Sequence, residues 1–298
     1  MSRVQLVVTG DMERVALAAS LRHAFPAHEL NFLLTQKVQD FTSSRLGTHP
    51  GRVPGLKTRA QDMAQAIVSA LEPGRYPDAI PDMVLAVDDL ELVNVDQPHV
   101  VTEYLAREIE LTIKDRKLSL ASETRVRERL RSRASFHLFV PMPEAYFYAE
   151  PAALKRAGAK AASRFDVAQR DTEAFEVDDP AYRQWLEKRA PNAVEPHRRH
   201  PKQYLRYLCD PNASIERAYR ETKEGALALE KLAWSEVTAR EARENYARAL
   251  LEDFAEGIGA NWQSPGPVAP LTARRSGGLL RNLAPAVPPT AAAPGHSP

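Results

Sequence analysis

Two groups of side chains in this sequence have the composition of a reactive site. The first is acidic. Asp11 and Glu13 follow the apolar run VQLVVT at 4–9, and Asp88, Asp89 and Glu91 follow the run MVLAV at 83–87, with Asp96 a little further on. Carboxylates gathered at strand ends suit a hard cation such as Mg²⁺, which takes oxygen ligands and keeps several waters. The same residue types also stabilise helix starts, since an Asp at an N-cap and a Glu in a first turn need no metal. Consecutive acids directly after a buried strand fit that second account less well, because burying them unpaired is costly. A solvated turn would still accommodate them.

The second group is basic. Residues 195–202 read Glu-Pro-His-Arg-Arg-His-Pro-Lys and lead into Tyr204, Leu205 and Arg206. Arg199, His200 and Lys202 are candidates for gripping a phosphate. Tyr219 and Lys223, one helical turn apart, could join them. A solvated loop opening a helix is the alternative. His197, His200 and Cys209 do not have a zinc-site spacing. The stretch Pro143-Glu144-Ala145-Tyr146-Phe147 reads as an ordinary helix start with its apolar face inward.

The elements that must position these residues follow from hydropathy. Residues 4–9 form a short buried-type strand, and Gly10 and Asp11 turn it into a helix from Met12 to Phe25, stopped by Pro26. Residues 29–35 predict a second strand. The Gly-, Pro- and Arg-rich stretch 47–56 predicts a mobile loop. Ala60, Met63, Ala64, Ile67, Val68 and Leu71 recur at helical spacing. A strand at 83–87, a helix over 98–117 stacking Val101, Leu105, Ile109 and Ile113, and a strand at 136–140 complete the first half. Strands alternating with helices predict an α/β fold with a parallel sheet covered on both faces, over residues 1–140.

Beyond Pro141 the strand signal fades. Segments near 143–157, 180–189, 201–208, 214–232 and 237–256 predict a helical layer over 141–258 packed on that domain. From 262 the chain is rich in Pro, Ala and Gly and has no acidic residue, which predicts a disordered tail over 259–298. The net charge of +1 gives no global reason for a polyanion partner, so any nucleic-acid footprint must be local. The single cysteine, Cys209, excludes an internal disulfide and fits a reducing compartment. The N-terminal apolar run is too short for a signal peptide, and no stretch reaches the roughly 20 apolar residues of a membrane span. These features together predict a cytoplasmic protein with no membrane partner.

Four segments, in order, carry a resemblance. VVTGDMERVAL resembles the V-E-G-x-S/T-E opening of Toprim-related proteins. PEAYFYAEPAAL, RHPKQYL and YRETKEG resemble the E-A-W-L/F-L-A-D, H-P-K-x-Y/F-L and Y-x-K-x-x-G segments of the RloB-like group, an uncharacterised Toprim-like bacterial family. The resemblance spans roughly residues 4–256. It implies a Toprim-like sheet whose site joins a Glu after the first strand to a D-x-D after a later one, binding Mg²⁺ for phosphodiester chemistry. It also implies anti-phage defence beside an ATPase encoded nearby.

Thr9 stands where the Toprim glutamate would be, and Glu13 matches the second acid of the opening. Asp88, Asp89 and Glu91 match the later acids in place, as D-D-L-E. Glu144, His200, Pro201, Lys202 and Lys223 match their segments without change. Three expectations follow, the last of them the weakest. One is a Mg²⁺-dependent nuclease using Glu13, Asp88, Asp89 and Glu91 as ligands and Lys202, Arg199, His200 and Lys223 on phosphate. Another is a catalytically degenerate interaction partner of another defence subunit. Small-nucleotide binding at the strand ends is a third.

Overall fold

The computed structural model describes residues 1–72, 80–168, 170–189, 197–214, 218–239, 246–262 and 278–285. Alternation of side chains along each strand divides the apolar residues between two cores. In β1 (Ser2–Val8), Val4, Leu6 and Val8 face one core and Val7 the other; in β4 (Met83–Asp89), Met83, Leu85 and Val87 oppose Val84 and Ala86 in the same way. The short strands β2 (Leu30–Phe32) and β3 (Gln36–Lys37) lie on one side of β1, and β5 (Ala134–Phe139) lies beyond β4. The order is β2-β1-β4-β5, and every pairing is parallel. The α/β class and the helix-flanked parallel sheet are therefore as the hydropathy predicts.

Helix α1 (Asp11–Ala24) covers one face, while α2 (Gln61–Leu71), α3 (Pro98–Asp115) and α4 (Leu120–Arg133) cover the other. The spacing does not reveal α4, because only Val126 and Leu130 of its charged sequence are buried. The helical layer packs on the α1 face. It contains α5 (Pro151–Arg156), α6 (Pro180–Arg189), α7 (Pro201–Cys209), α8 (Ala226–Glu230), α9 (Trp234–Thr238) and α10 (Tyr246–Gly257). Trp234 seals the join: it is buried, and its ring N–H donates to Ser20 Oγ of α1 at 2.8 Å. No described helix is long and apolar enough to cross a membrane.

Two segments are held by contacts that their composition does not show. The 47–56 stretch is an irregular, largely exposed loop as expected, but it is anchored at His49 and Arg52. Glu108, fully buried in α3, accepts hydrogen bonds from Arg52 Nε at 2.7 Å and Thr58 Oγ1 at 2.5 Å, and lies 3.2 Å from His49 Nε2. Local composition could not show that a carboxylate more than fifty residues away holds the loop.

The tail is likewise not structureless throughout. Residues 278–285 return to the edge of β5, where Leu279, Leu280 and Leu283 are buried and Arg281 N–H donates to Ala134 C=O at 2.8 Å. Further along that edge, Val140 N–H donates to the Tyr146 hydroxyl oxygen at 3.1 Å. An open strand edge leaves such groups unpaired, and here the tail and a tyrosine satisfy them. Deleting residues 278–298 should therefore lower the thermal midpoint by about 5 °C or more. An unchanged midpoint in a melt of the shortened chain would show that these leucines contribute nothing.

Candidate functional site

The carboxyl ends of β1, β4 and β5 open towards the start of α1, the usual ligand position in an open α/β sheet. Four stretches converge there. They are Thr9–Glu13 after β1, Asp88–Glu91 at the end of β4, Glu144 in the 3-10 segment Pro143–Ala149 after β5, and Lys202 in the first turn of α7. The segment Tyr219–Glu221 closes the group. The basic residue Lys202 and the acidic strand ends, over a hundred residues apart in sequence, thus share one site.

Asp88 and Asp89 have different surroundings. Asp88 Oδ1 accepts from Thr9 Oγ1 at 2.5 Å and from Asp89 N–H at 2.9 Å, and its Oδ2 accepts from Thr42 Oγ1 at 3.3 Å. Burial raises the Asp88 carboxyl to about 7, although the Thr9 bond opposes the rise. Thr9 is therefore a hydrogen-bond donor to the buried acid opposite. Asp89 has no such support: its Oδ1 is buried without a hydrogen-bond partner. Burial, then the charges of Glu13, Asp88, Glu144 and Glu91, hold its carboxyl well above the usual range.

Glu13 belongs to the first turn of α1 but turns back over the strand end. A Cβ on Gly10 would stand 1.9 Å from Glu13 Oε2, so the glycine makes room for this carboxylate. The backbone φ of Gly10 is −84°, which any residue could adopt, so clearance and not conformation requires glycine. Burial raises Glu13 to about 7; its own backbone N–H opposes the rise, and Glu144 adds to it. It lies against the Asp89 carboxyl, and the charge of each acts on the other.

Glu91 has a left-handed backbone (φ 58°), uncommon for a residue with a Cβ. Its N–H donates to Pro141 C=O at 2.9 Å, fixing the β4 loop to the β5 loop. Burial raises its carboxyl and Lys202 opposes that.

Lys202 lies between two more carboxylates. Its Nζ is 2.7 Å from Glu221 and 3.9 Å from Glu144. Burial alone would push the ammonium down, but Glu144, Glu221 and Asp89 outweigh it and hold it above its ordinary value. Glu144 is buried and also accepts from the Tyr219 hydroxyl at 3.0 Å. That hydroxyl rests against Gly225, where a Cβ would come within 2.4 Å of it.

The other candidates fall elsewhere. His200 precedes α7 as its N-cap residue, Lys223 is exposed on the π-helical turn Glu221–Gly225, and Arg199 is exposed with its Nε 3.9 Å from Glu176. The side chain of His197 lies outside the described residues. The sequence pattern treated Glu144 as a helix start and gave no sign of Glu221 or of Asp40, whose charge acts on Asp88 and Glu91. Only the resemblance of the PEAYF segment marks Glu144; Glu221 and Asp40 have no local signal.

Among the described residues, no three His, Cys, Asp or Glu side chains are arranged as a ready metal cage. Mg²⁺ does not require one, since it is commonly held by one or two carboxylates and its own waters. Buried Glu13 and half-buried Asp89, whose Oδ1 is unpaired, fit that requirement. No protein-family model, curated protein or solved structure matches the chain.

Two outcomes follow. Native Asp88 binds its proton more tightly than the unfolded residue, whose pKa is about 3.9. Its contribution to stability is thus intact below pH ~4 and is lost as pH rises towards about 7. Asp88→Asn should flatten the decline in midpoint between pH 4 and pH 8, and parallel profiles for the two proteins would refute the assignment. Gly10→Ala should lower the midpoint, chiefly through the clash with Glu13 and to a smaller extent because alanine is the poorer N-cap. In the Glu13→Ala background the same change should cost less, leaving only the N-cap loss, and an equal cost in both backgrounds would mean that the clash lies elsewhere.

Proposed function

We propose that the protein is a Mg²⁺-dependent enzyme of nucleic-acid processing, most simply a phosphodiester-cleaving nuclease of bacterial anti-phage defence. The observation that carries this reading is the unpaired, buried Asp89 oxygen beside the Glu13 carboxyl, at the strand ends and within the field of Lys202. Burying carboxylates together without counter-charge is unfavourable, and a divalent cation would relieve it. Glu13 and Asp89 would hold the ion, with Glu91 beside them. A bound Mg²⁺ would supply Lewis-acid stabilisation of a phosphate oxygen.

The chain's own groups would do the rest. Lys202, held between Glu144 and Glu221, presents a fixed positive charge to a phosphate oxygen at the mouth of the site. Preorganised charge of this kind costs no reorientation during reaction. Thr9 and Thr42 keep the Asp88 side chain turned into the protein, so Asp88 supports the position of Asp89 through its bond to the Asp89 N–H.

One observation favours a second reading. Thr9 ties up Asp88 where a Toprim protein would present a glutamate, which suits a chain that keeps the fold as a partner of another defence subunit such as an ATPase. The two readings differ in their response to metal. In the first, millimolar Mg²⁺ raises the thermal midpoint by mass action and supports cleavage of labelled DNA or RNA. Asp89→Asn and Glu13→Gln would then abolish both effects, and Lys202→Met would abolish cleavage while leaving the Mg²⁺ increment. If Mg²⁺ changes neither the midpoint nor the substrate, the enzymatic reading fails and the partner reading replaces it.

A further inference from the structure

The returning segment at the β5 edge has the construction of a ligand. Its shape is set within Gly278–Pro285 itself: Leu279 N–H and Leu280 N–H both donate to Leu283 C=O, at 2.9 and 3.2 Å. The closure requires a glycine at 278, where a Cβ would lie 2.8 Å from Ala284 Cα and 2.6 Å from Pro285 Cδ. The result is a small closed loop, Gly-Leu-Leu-Arg-Asn-Leu-Ala-Pro. It joins the body through residues 263–277, a stretch of Pro-, Gly- and Ser-rich sequence.

The loop contacts the sheet in a specific way. Asn282 Oδ1 accepts from Phe136 N–H at 3.0 Å, and Asn282 Nδ2 donates to Phe136 C=O at 2.6 Å. A neighbouring strand would engage the same N–H and C=O with its backbone. Here one carboxamide does so, and Arg281 N–H adds the bond to Ala134 C=O. Leu279, Leu280 and Leu283 enter the core formed with α2, α3 and α4. The Arg281 guanidinium reaches the buried Asp253 Oδ1 at 3.0 Å and Ser132 C=O at 3.2 Å, while Arg131 Nε donates to Gly278 C=O at 3.1 Å. Backbone edge, apolar seats and a buried acid thus read three features of one short sequence.

We propose that the outer edge of β5 is a peptide-binding site, with Gly278–Pro285 as its tethered resident ligand, and that it takes the same peptide supplied in trans. The ligand class is a short peptide with Leu-Leu-Arg-Asn-Leu in a closed loop. It binds by a form of edge addition in which an asparagine side chain replaces the added strand. Asparagine is required because the Phe136 C=O needs a donor; aspartate would set a carboxylate against it. Because the resident loop belongs to the same chain, its binding is intramolecular, so free peptide competes poorly with it in the wild-type chain.

The test uses the full-length chain and its Asn282→Asp variant. A fluorescent peptide of residues 278–285 is titrated against each and followed by anisotropy. The variant should bind it at least tenfold more tightly than the wild type, and an Asn282→Asp peptide should bind neither. Amide exchange at Phe136 should be fast in the variant and slow again once the wild-type peptide is added. A folded variant that does not bind the peptide, or that binds both peptides equally, overturns the proposal. If Asn282→Asp does not fold, full-length Arg281→Ala is tested in the same way with the same expected result. If neither variant folds, the loop is an inseparable part of the domain and the proposal fails.

Discussion

Glu13, Asp89, Glu91, Glu144 and Glu221 crowd the strand ends around the ammonium group of Lys202, and Asp88 lies buried behind Asp89. One ammonium cannot balance so many carboxylates, and burial removes the water that would otherwise screen them. The protein meets this cost in three ways. Thr9 and Thr42 bond Asp88, burial holds the Glu13 and Asp89 carboxyls towards their neutral forms, and Tyr219 bonds Glu144. Asp89 Oδ1 is left without a hydrogen-bond partner, at the centre of the cluster.

The fold is arranged to keep that cluster together. A parallel sheet puts the carboxyl ends of β1, β4 and β5 on one side, so residues that follow three different strands become neighbours. The helical layer adds the cation and its partners from α7 and from the segment before α8. Two glycines mark where the assembly is tightest. Gly10 leaves space for the Glu13 carboxylate and Gly225 for the Tyr219 hydroxyl. Neither position has a backbone that requires glycine, so each is explained by what its missing Cβ would strike.

The far edge of the sheet depends on the opposite arrangement. At the strand ends polar groups are gathered and left partly unsatisfied, whereas along β5 the exposed edge groups find partners. Asn282, the backbone of Arg281 and the hydroxyl of Tyr146 each take part. Natural sheets commonly cover an edge with a loop to prevent pairing with other chains. Here the cover comes from a segment whose composition gave no sign of order.

The sequence by itself determined the layered α/β fold. The runs VQLVVT and MVLAV read as buried strands, and the spacing of Met63, Ile67 and Leu71 as a covering helix, because period-two and period-3.6 patterns are local properties of a chain. It also marked Glu13, Asp88, Asp89, Glu91 and Lys202 as chemically suggestive. Tertiary structure decided which of these meet. It turned Asp88 inward onto Thr9, left Asp89 exposed to the cluster, brought Glu144 and Glu221 to Lys202, and sent Arg199 to Glu176. It also tied the 47–56 loop to Glu108 and folded 278–285 against β5. Each of these depends on partners tens to hundreds of residues away, and hydropathy read along the chain contains no information about such distances.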